Sequence, residues 1–306
     1  MHGAAFAMPY VAMLFLVPDS LASPEKGRHL LERFMASFPR HIPEKYGDIE
    51  PLEHVFDEGD LGRTLQNWGT WAFVAEHRSR PWSLINIQPY LNVPHRPHRG
   101  VSIHLELEEI TDTNIRPVCD FVYDISNAFG AVYSSAQMSP RRLDVVRGIV
   151  ASPQEHTSVH KMIKWTQTVR LRRFIMNLFW LTVFGPAYVD LFGRDRILAA
   201  PAYNVQLLPY GGIGMQLTTR IEDTEESKQD FETTRRLVQQ HLDSNAFYDK
   251  DLPQDHVYST PDFGIPKDWP ANRKAWREKG MAELAAGEGP AHDALKSVLP
   301  PHRRSK

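Results

Sequence analysis

FWLTVFGPAYVDLFGRDRILAAPAYNVQLLPYGGIGMQLT, residues 179–218, carries the densest local grammar of the chain and decides its fold class. Gly185 followed by Pro186 places a proline at the first position of a short helix, where its missing N–H costs nothing. Gly193 stands where a left-handed residue would stop that helix. The helix is expected to bury Tyr188, Leu191 and Phe192. After Pro201 the period changes from helical to alternating. Val205 and Leu207 share one face, Tyr210, Gly211 and Gly212 supply a turn, and Ile213, Met215 and Leu217 share a face again. The expectation is a β-hairpin with one apolar face behind a short helix. These are scaffold features, and none of them brings catalytic chemistry.

Outward from this stretch, residues 165–180 mix basic and apolar side chains, including Arg170, Arg172 and Arg173, and read as a helical run. Downstream, Asp223 with Glu226 three residues later resembles a capping box opening a helix that carries Phe231, Val238 and Leu242. In the first half, residues 10–17 read as a buried strand ended by Pro18. Ser23 and Pro24 open an amphipathic helix with Leu30, Leu31, Phe34 and Phe38 at helical spacing. HIPEKYGDIEP, residues 41–51, is an ordered loop with Asp57, Glu58 and Asp60 in an acidic corner after it. Residues 71–75 and 82–88 form a hairpin across EHRSR. Val101, Ile103, Leu105 and Leu107 alternate with Ser102, His104, Glu106 and Glu108, which predicts a strand with one core face and one polar face. Ile115, Val118, Val122, Ile125 and Phe129 then lie on one helical stripe that begins near Pro117 and ends at Gly130, and residues 131–137 add another strand.

The order of elements predicts an α+β protein of antiparallel β-sheets covered by helices on one side, because no series of strand, glycine loop and helix is present. Helix, hairpin and helix in the second half echo helix, strands and helix in the first. We therefore expect two related α+β halves at 8–139 and 155–248, joined by the charged, aperiodic segment 140–154, with an extended tail at 249–306 whose last residues are disordered.

Hydrophobic residues at 42% and charged residues at 24% of 306 exclude a chain disordered throughout. A formal charge of −2 argues against direct nucleic-acid binding, which needs a concentrated cationic surface. The single cysteine, Cys119, rules out an intramolecular disulfide framework and fits a reducing compartment. The apolar run 4–17 has no Lys or Arg before it, is interrupted by Pro9 and is too short to span a bilayer. We read it as a strand, with a signal peptide as the alternative and Met8 as an alternative start.

The chemistry-bearing clusters are sparse. His95 and His98, with His104 on the next strand, are three imidazoles of the kind that ligate zinc, but they lack a fourth ligand and are interleaved with arginines. His156 and His160 have helical metal-binding spacing without a companion motif. Cys119 lies beside an apolar helix stripe and reads as a structural thiol. No nucleophile elbow, phosphate loop or dinucleotide-binding glycine pattern occurs, and Gly211, Gly212 and Gly214 are accounted for by the hairpin. No cofactor or metal is expected. Glu106 and Glu108 stand about 7 Å apart on one strand face, as paired carboxylates of hydrolases do. Together with Glu109, Asp112, the corner Asp57, Glu58 and Asp60, and the acids of 222–226, they also form acidic surface of the kind that orients encounter with a basic partner.

The residues Trp180 to Pro186, Tyr188-Val189, the segment 193–201, Gly211-Gly212 with Gln216 to Thr218, and upstream Pro43, Tyr46-Gly47 and Glu50-Pro51 carry a resemblance. Over residues 10–247 the sequence is similar to bacterial immunity proteins of polymorphic-toxin and type VI secretion systems, most closely the immunity protein 52 family. The resemblance implies a non-enzymatic cytoplasmic antitoxin that binds and blocks a cognate toxin, often of nuclease type, with no membrane partner. It assigns no contact residues. The residues themselves make Asp57, Glu58, Asp60, His104, Glu106 and Glu108 the candidate toxin contacts. A metal-dependent hydrolase using His95, His98, His104 and Glu106 is the competing reading, and a structural component of a secretion or phage-like particle is a third.

Overall fold

The computed structural model describes residues 10–18, 21, 23–48, 51–66, 68, 73–87, 98–107, 112–139, 168–263 and 286. Ten strands form one antiparallel sheet: β1 Tyr10–Pro18, β2 Lys45–Gly47, β3 His54–Val55, β4 Phe73–His77, β5 Ser83–Ile87, β6 His98–Glu106, β7 Tyr133–Ser139, β8 Leu181–Phe184, β9 Asn204–Leu207 and β10 Ile213–Gln216. Their order across the sheet is β3-β2-β4-β5-β6-β1-β7-β8-β10-β9. The fold is thus α+β, as the element pattern predicts. Strands from both halves of the chain belong to the same sheet, with β7 paired to β8 from Tyr133 opposite Phe184 to Ala136 opposite Leu181. The proposed joint, 140–154, lies outside the described residues.

β1 is an apolar run because both its edges and both its faces are enclosed: β6 and β7 flank it, and every residue from Tyr10 to Val17 is buried. Its alternation sorts the sheet into two faces. Phe15 belongs to the first, against Phe121 of helix α3 (Asp112–Phe129) at 6.1 Å between ring centroids. Helix α1 (Pro24–Ser37) packs beside α3 through Phe34 on Phe121, and Arg33 meets Asp124 at 2.9 Å. Ser23 caps α1, accepting from the Lys26 N–H, with Pro24 at its start. α3 starts five residues ahead of the expected Pro117, which lies inside the helix.

The second face carries Tyr133 and Phe184, and helix α5 (Pro186–Phe192) lies on it, Tyr188 within 5.8 Å of Tyr133 and 5.4 Å of Phe184. Helices therefore cover both faces, which corrects the expectation of one covered side. Gly193, at φ 85°, ends α5 as predicted, and helix α6 (Arg194–Leu198) follows at once.

Of the run expected to be helical at 165–180, the described part from Thr168 holds one helical turn, α4 (Thr168–Leu171), then a turn at 172–173 and chain that is neither helix nor strand apart from a bridge at Ile175. Side chains capture that backbone: Gln137 accepts from the Trp180 N–H at 2.9 Å, and Thr182 from the Phe179 N–H at 3.1 Å. The hairpin β9–β10 forms as read, except that Leu207 is exposed because β9 closes the sheet. The loop at 41–51 contains a short strand, β2, whose Tyr46 packs on Phe73. Short helix α2 (Leu61–Leu65) follows β3. Helix α7 (Asp223–Glu226) is separated at Ser227 from α8 (Lys228–Leu242), which buries Phe231, Val238 and Leu242. The tail returns to the body, Phe263 reaching Tyr188 at 5.8 Å and His98 at 5.4 Å. Among the described residues no helix is long and apolar enough to cross a membrane.

Candidate functional site

β6 is not a half-solvated strand. Ser102, His104 and Glu106 are 6%, 8% and 1% exposed, so the face predicted to be polar surface is enclosed. β6 is an interior strand, held between β5 and β1. Here Glu106 anchors a network rather than a surface. Its Oε1 accepts from the Tyr10 hydroxyl at 3.1 Å, its Oε2 accepts from the Trp82 backbone N–H at 3.0 Å, and the Arg80 guanidinium stands 3.8 Å away. The Trp82 indole N–H donates to Glu76 at 2.9 Å, whose other oxygen accepts from Arg78 at 2.9 Å. Tyr10 meets Trp82 edge-on at 5.9 Å, and Leu84 completes a small apolar cluster.

Two buried carboxylates thus clamp one tryptophan. Every carboxylate oxygen receives a donor from this fold, which is how a buried charge is tolerated, and the pair fixes the β4–β5 hairpin. Sequence reasoning found Glu106 and missed Glu76 and Trp82. The signal was there in retrospect: Glu76 follows Phe73-Val74-Ala75, and Glu106 sits between Leu105 and Leu107, an acid set in an apolar strand run.

The histidines do not assemble. His98 and His104 stand six residues apart on one strand, about 20 Å at the strand rise, too far to share a metal ion. The His98 ring instead contacts the Thr168 hydroxyl at 3.1 Å. The set of His95, His98, His104 and Glu106 therefore cannot form one centre. His95, His156 and His160 lie outside the described residues, as does Glu108. Among the described residues no group of three or more His, Cys, Asp and Glu comes together as a metal site. His104 is enclosed, and burial lowers its pKa to about 4. Burial, with Asp120 beside it, pushes the Cys119 thiol up to about 12, opposite to what a nucleophilic thiolate needs.

Of the candidate contacts, His104 and Glu106 are interior and offer no surface to a partner. Asp57, Glu58 and Asp60 are exposed. Asp57 accepts from the Gly59 N–H at 2.9 Å and Asp60 from the Arg63 N–H at the start of α2, so the corner is held by its own backbone. β3 runs into this corner, with His54 and Val55 exposed, the latter at 71%, and Glu53 exposed before them. An exposed apolar side chain, paired across the ladder with Lys45, thus stands next in sequence to exposed acids at one end of the sheet.

No protein-family model matches the chain, and no curated protein matches it. A solved structure does. The Pseudomonas aeruginosa T6SS protein PA0821 superposes with a TM-score of 0.53 over 96% of this chain and 92% of that one, at 10% sequence identity. At that identity the likeness is one of fold, and it extends over nearly the whole of both chains.

Proposed function

We propose that this chain is an immunity protein of the type VI secretion setting, cytoplasmic and without catalytic activity of its own, that binds a cognate nuclease-type toxin and blocks it. The observation that carries the reading is the fold held in common, nearly end to end, with a T6SS protein. That likeness bears on the secretion-system setting alone; the immunity role and the nuclease-type toxin come from the resemblance of residues 10–247 to the immunity protein 52 family. The polar groups brought together in the interior serve the scaffold, as a protein that inhibits by surface contact requires. Such an inhibitor acts by covering about 800 Å² or more of its partner.

The surface we assign to the contact is the β3 corner: Val55 as the apolar anchor, with Glu53, Asp57, Glu58 and Asp60 near it in sequence. An apolar centre gives affinity, and an acidic rim speeds encounter with a toxin whose cleft is basic. The test is a calorimetric titration against a catalytically disabled form of the protein encoded next to this one. Stoichiometric nanomolar binding is expected, and absence of binding with both proteins folded removes the reading. Asp57→Lys with Glu58→Lys is expected to slow association about tenfold at low salt, an effect that fades as salt screens the charges. An unchanged association rate removes the corner from the interface and leaves the inhibitor reading in place.

A further inference from the structure

The two ends of the sheet are guarded very differently. β3 has two residues and is followed by Asp57, Glu58 and Asp60, the short, charge-flanked edge that resists pairing with other strands. β9 has four residues, and from 197 to 219 the chain contains no Asp, Glu, Lys, Arg or His. Among the described residues β9 is the terminal strand, and Tyr203 and Leu207 are 59% and 44% exposed.

The ladder phase shows what that edge offers. The Leu208 N–H donates to Gly212 at 2.8 Å, and on the far side of β10 the Leu217 N–H donates to Trp180 at 2.9 Å. Residues 204, 206 and 208 are therefore directed toward β10, and alternation turns the N–H and C=O groups of Val205 and Leu207 outward, whereas the Tyr203 N–H ahead of the strand is taken by the Leu217 carbonyl at 3.2 Å. Val205 and Leu207 pair with Met215 and Ile213, which puts their side chains on one face and those of Asn204 and Gln206 on the other.

We propose that β9 pairs antiparallel with β9 of a second copy of this chain, about a twofold axis through Val205, and joins two ten-stranded sheets into one. The strand is its own complement in this register. Val205 faces Val205 of the second copy, Asn204 faces Gln206, and each exposed Tyr203 side chain covers an exposed Leu207, while the Tyr203 N–H stays with Leu217, so the new ladder rests on the Val205 pair and the Leu207 N–H. A twofold interface demands self-complementarity of this kind, and β9 itself brings no like charges into register. The contact is small beside the roughly 1,200–2,000 Å² of stable complexes, so the association expected is weak and concentration-dependent. It does not rest on the toxin reading.

Sedimentation velocity on the full chain, from micromolar to sub-millimolar concentration, tests it. The wild-type mass is expected to rise from one chain toward two. Val205→Pro removes an outward N–H and leaves the β10 ladder intact, a position where edge strands tolerate proline. Leu207→Lys places a charge on the edge. Each is expected to weaken association at least tenfold with a melting temperature close to wild type, and Val55→Lys at the opposite edge to leave it unchanged. A wild type that stays monomeric throughout, including one whose Val205 amide becomes protected only on another protein's strand, overturns the proposal. So does a dimer that both β9 variants retain or that Val55→Lys abolishes.

Discussion

His104 sits in an interior strand, and enclosure alone lowers its pKa from 6.5 to about 4. The sign follows from linkage. The unfolded chain takes up a proton near pH 6.5 that the folded chain refuses until about pH 4, so the stability is fully present above the higher value and is lost as pH falls through that window. The loss amounts to about 3 kcal/mol at most. His41 is shifted in the same direction, chiefly by burial, and adds to the same window. Glu44 is held below its usual 4.5 by the Ser79 hydroxyl, so its share of acid destabilisation comes at lower pH. The melting temperature is therefore expected to decline between pH 6.5 and 4, and His104→Gln to flatten that part of the curve. An unchanged slope in the variant would show that the imidazole is reached by water.

At the scale of elements, the tightest constraint is where β8 passes into α5. Gly185 donates its N–H to Val132 at 2.9 Å and accepts from Tyr188 and Val189 in the first turn of the helix. A Cβ there would lie 2.3 Å from the Ala131 carbonyl oxygen and 2.8 Å from the Val132 Cα, which are backbone atoms with no rotamer to retreat into. Gly185→Ala is expected to cost about 3 kcal/mol in denaturant unfolding. Gly130 is the control: its φ is 61° with nothing within 4 Å, so Gly130→Ala is expected to cost about 1 kcal/mol, the conformational part alone. Equal losses at the two positions would falsify the close-approach argument. The sequence made this helix and its glycine stop legible, because Gly185-Pro186 and Gly193 act through local geometry, and the strands of β1 and β6 were legible from period two. What stayed hidden was set by distant partners. Residues 175–180 look helical until Ala246, Thr182 and Gln137 take the amides of Ile175, Phe179 and Trp180, and β6 looks half-solvated until its second face is enclosed. At the site the same rule holds: exposure of the acidic corner followed from its loop chemistry, whereas the clamp joins Glu76 of β4 and Glu106 of β6 through Trp82 just ahead of β5, an arrangement that alternation alone does not place side by side.

Over the whole molecule, the question is whether the two sequence halves behave as two bodies. β7 and β8 are paired over four residues, and the seam is crossed on both faces. On the first, the Tyr123 ring of α3 lies where a Cβ of Gly214 would stand, 2.2 Å from its Cε1, and the Tyr210 N–H donates to Asn127 at 3.1 Å. On the second, Tyr188 of α5 rests on Tyr133, and Trp180 is tied to Gln137. Opening the seam would strand the Trp180 amide and uncover Tyr133, Tyr188 and Phe184, all fully buried apart from 1% of Tyr133. Burial of such aromatic side chains stabilises by about 1.5–3 kcal/mol each, several times the cost of losing a surface contact. Neither set of strands has a free path to unfold alone. Hydrogen exchange in increasing denaturant is therefore expected to give the slowest amides of β4–β6 and of β8–β10 the same opening free energy, with one coincident transition. Two separated transitions would mean that the seam is weaker than its contacts and that the halves fold as independent units sharing an edge.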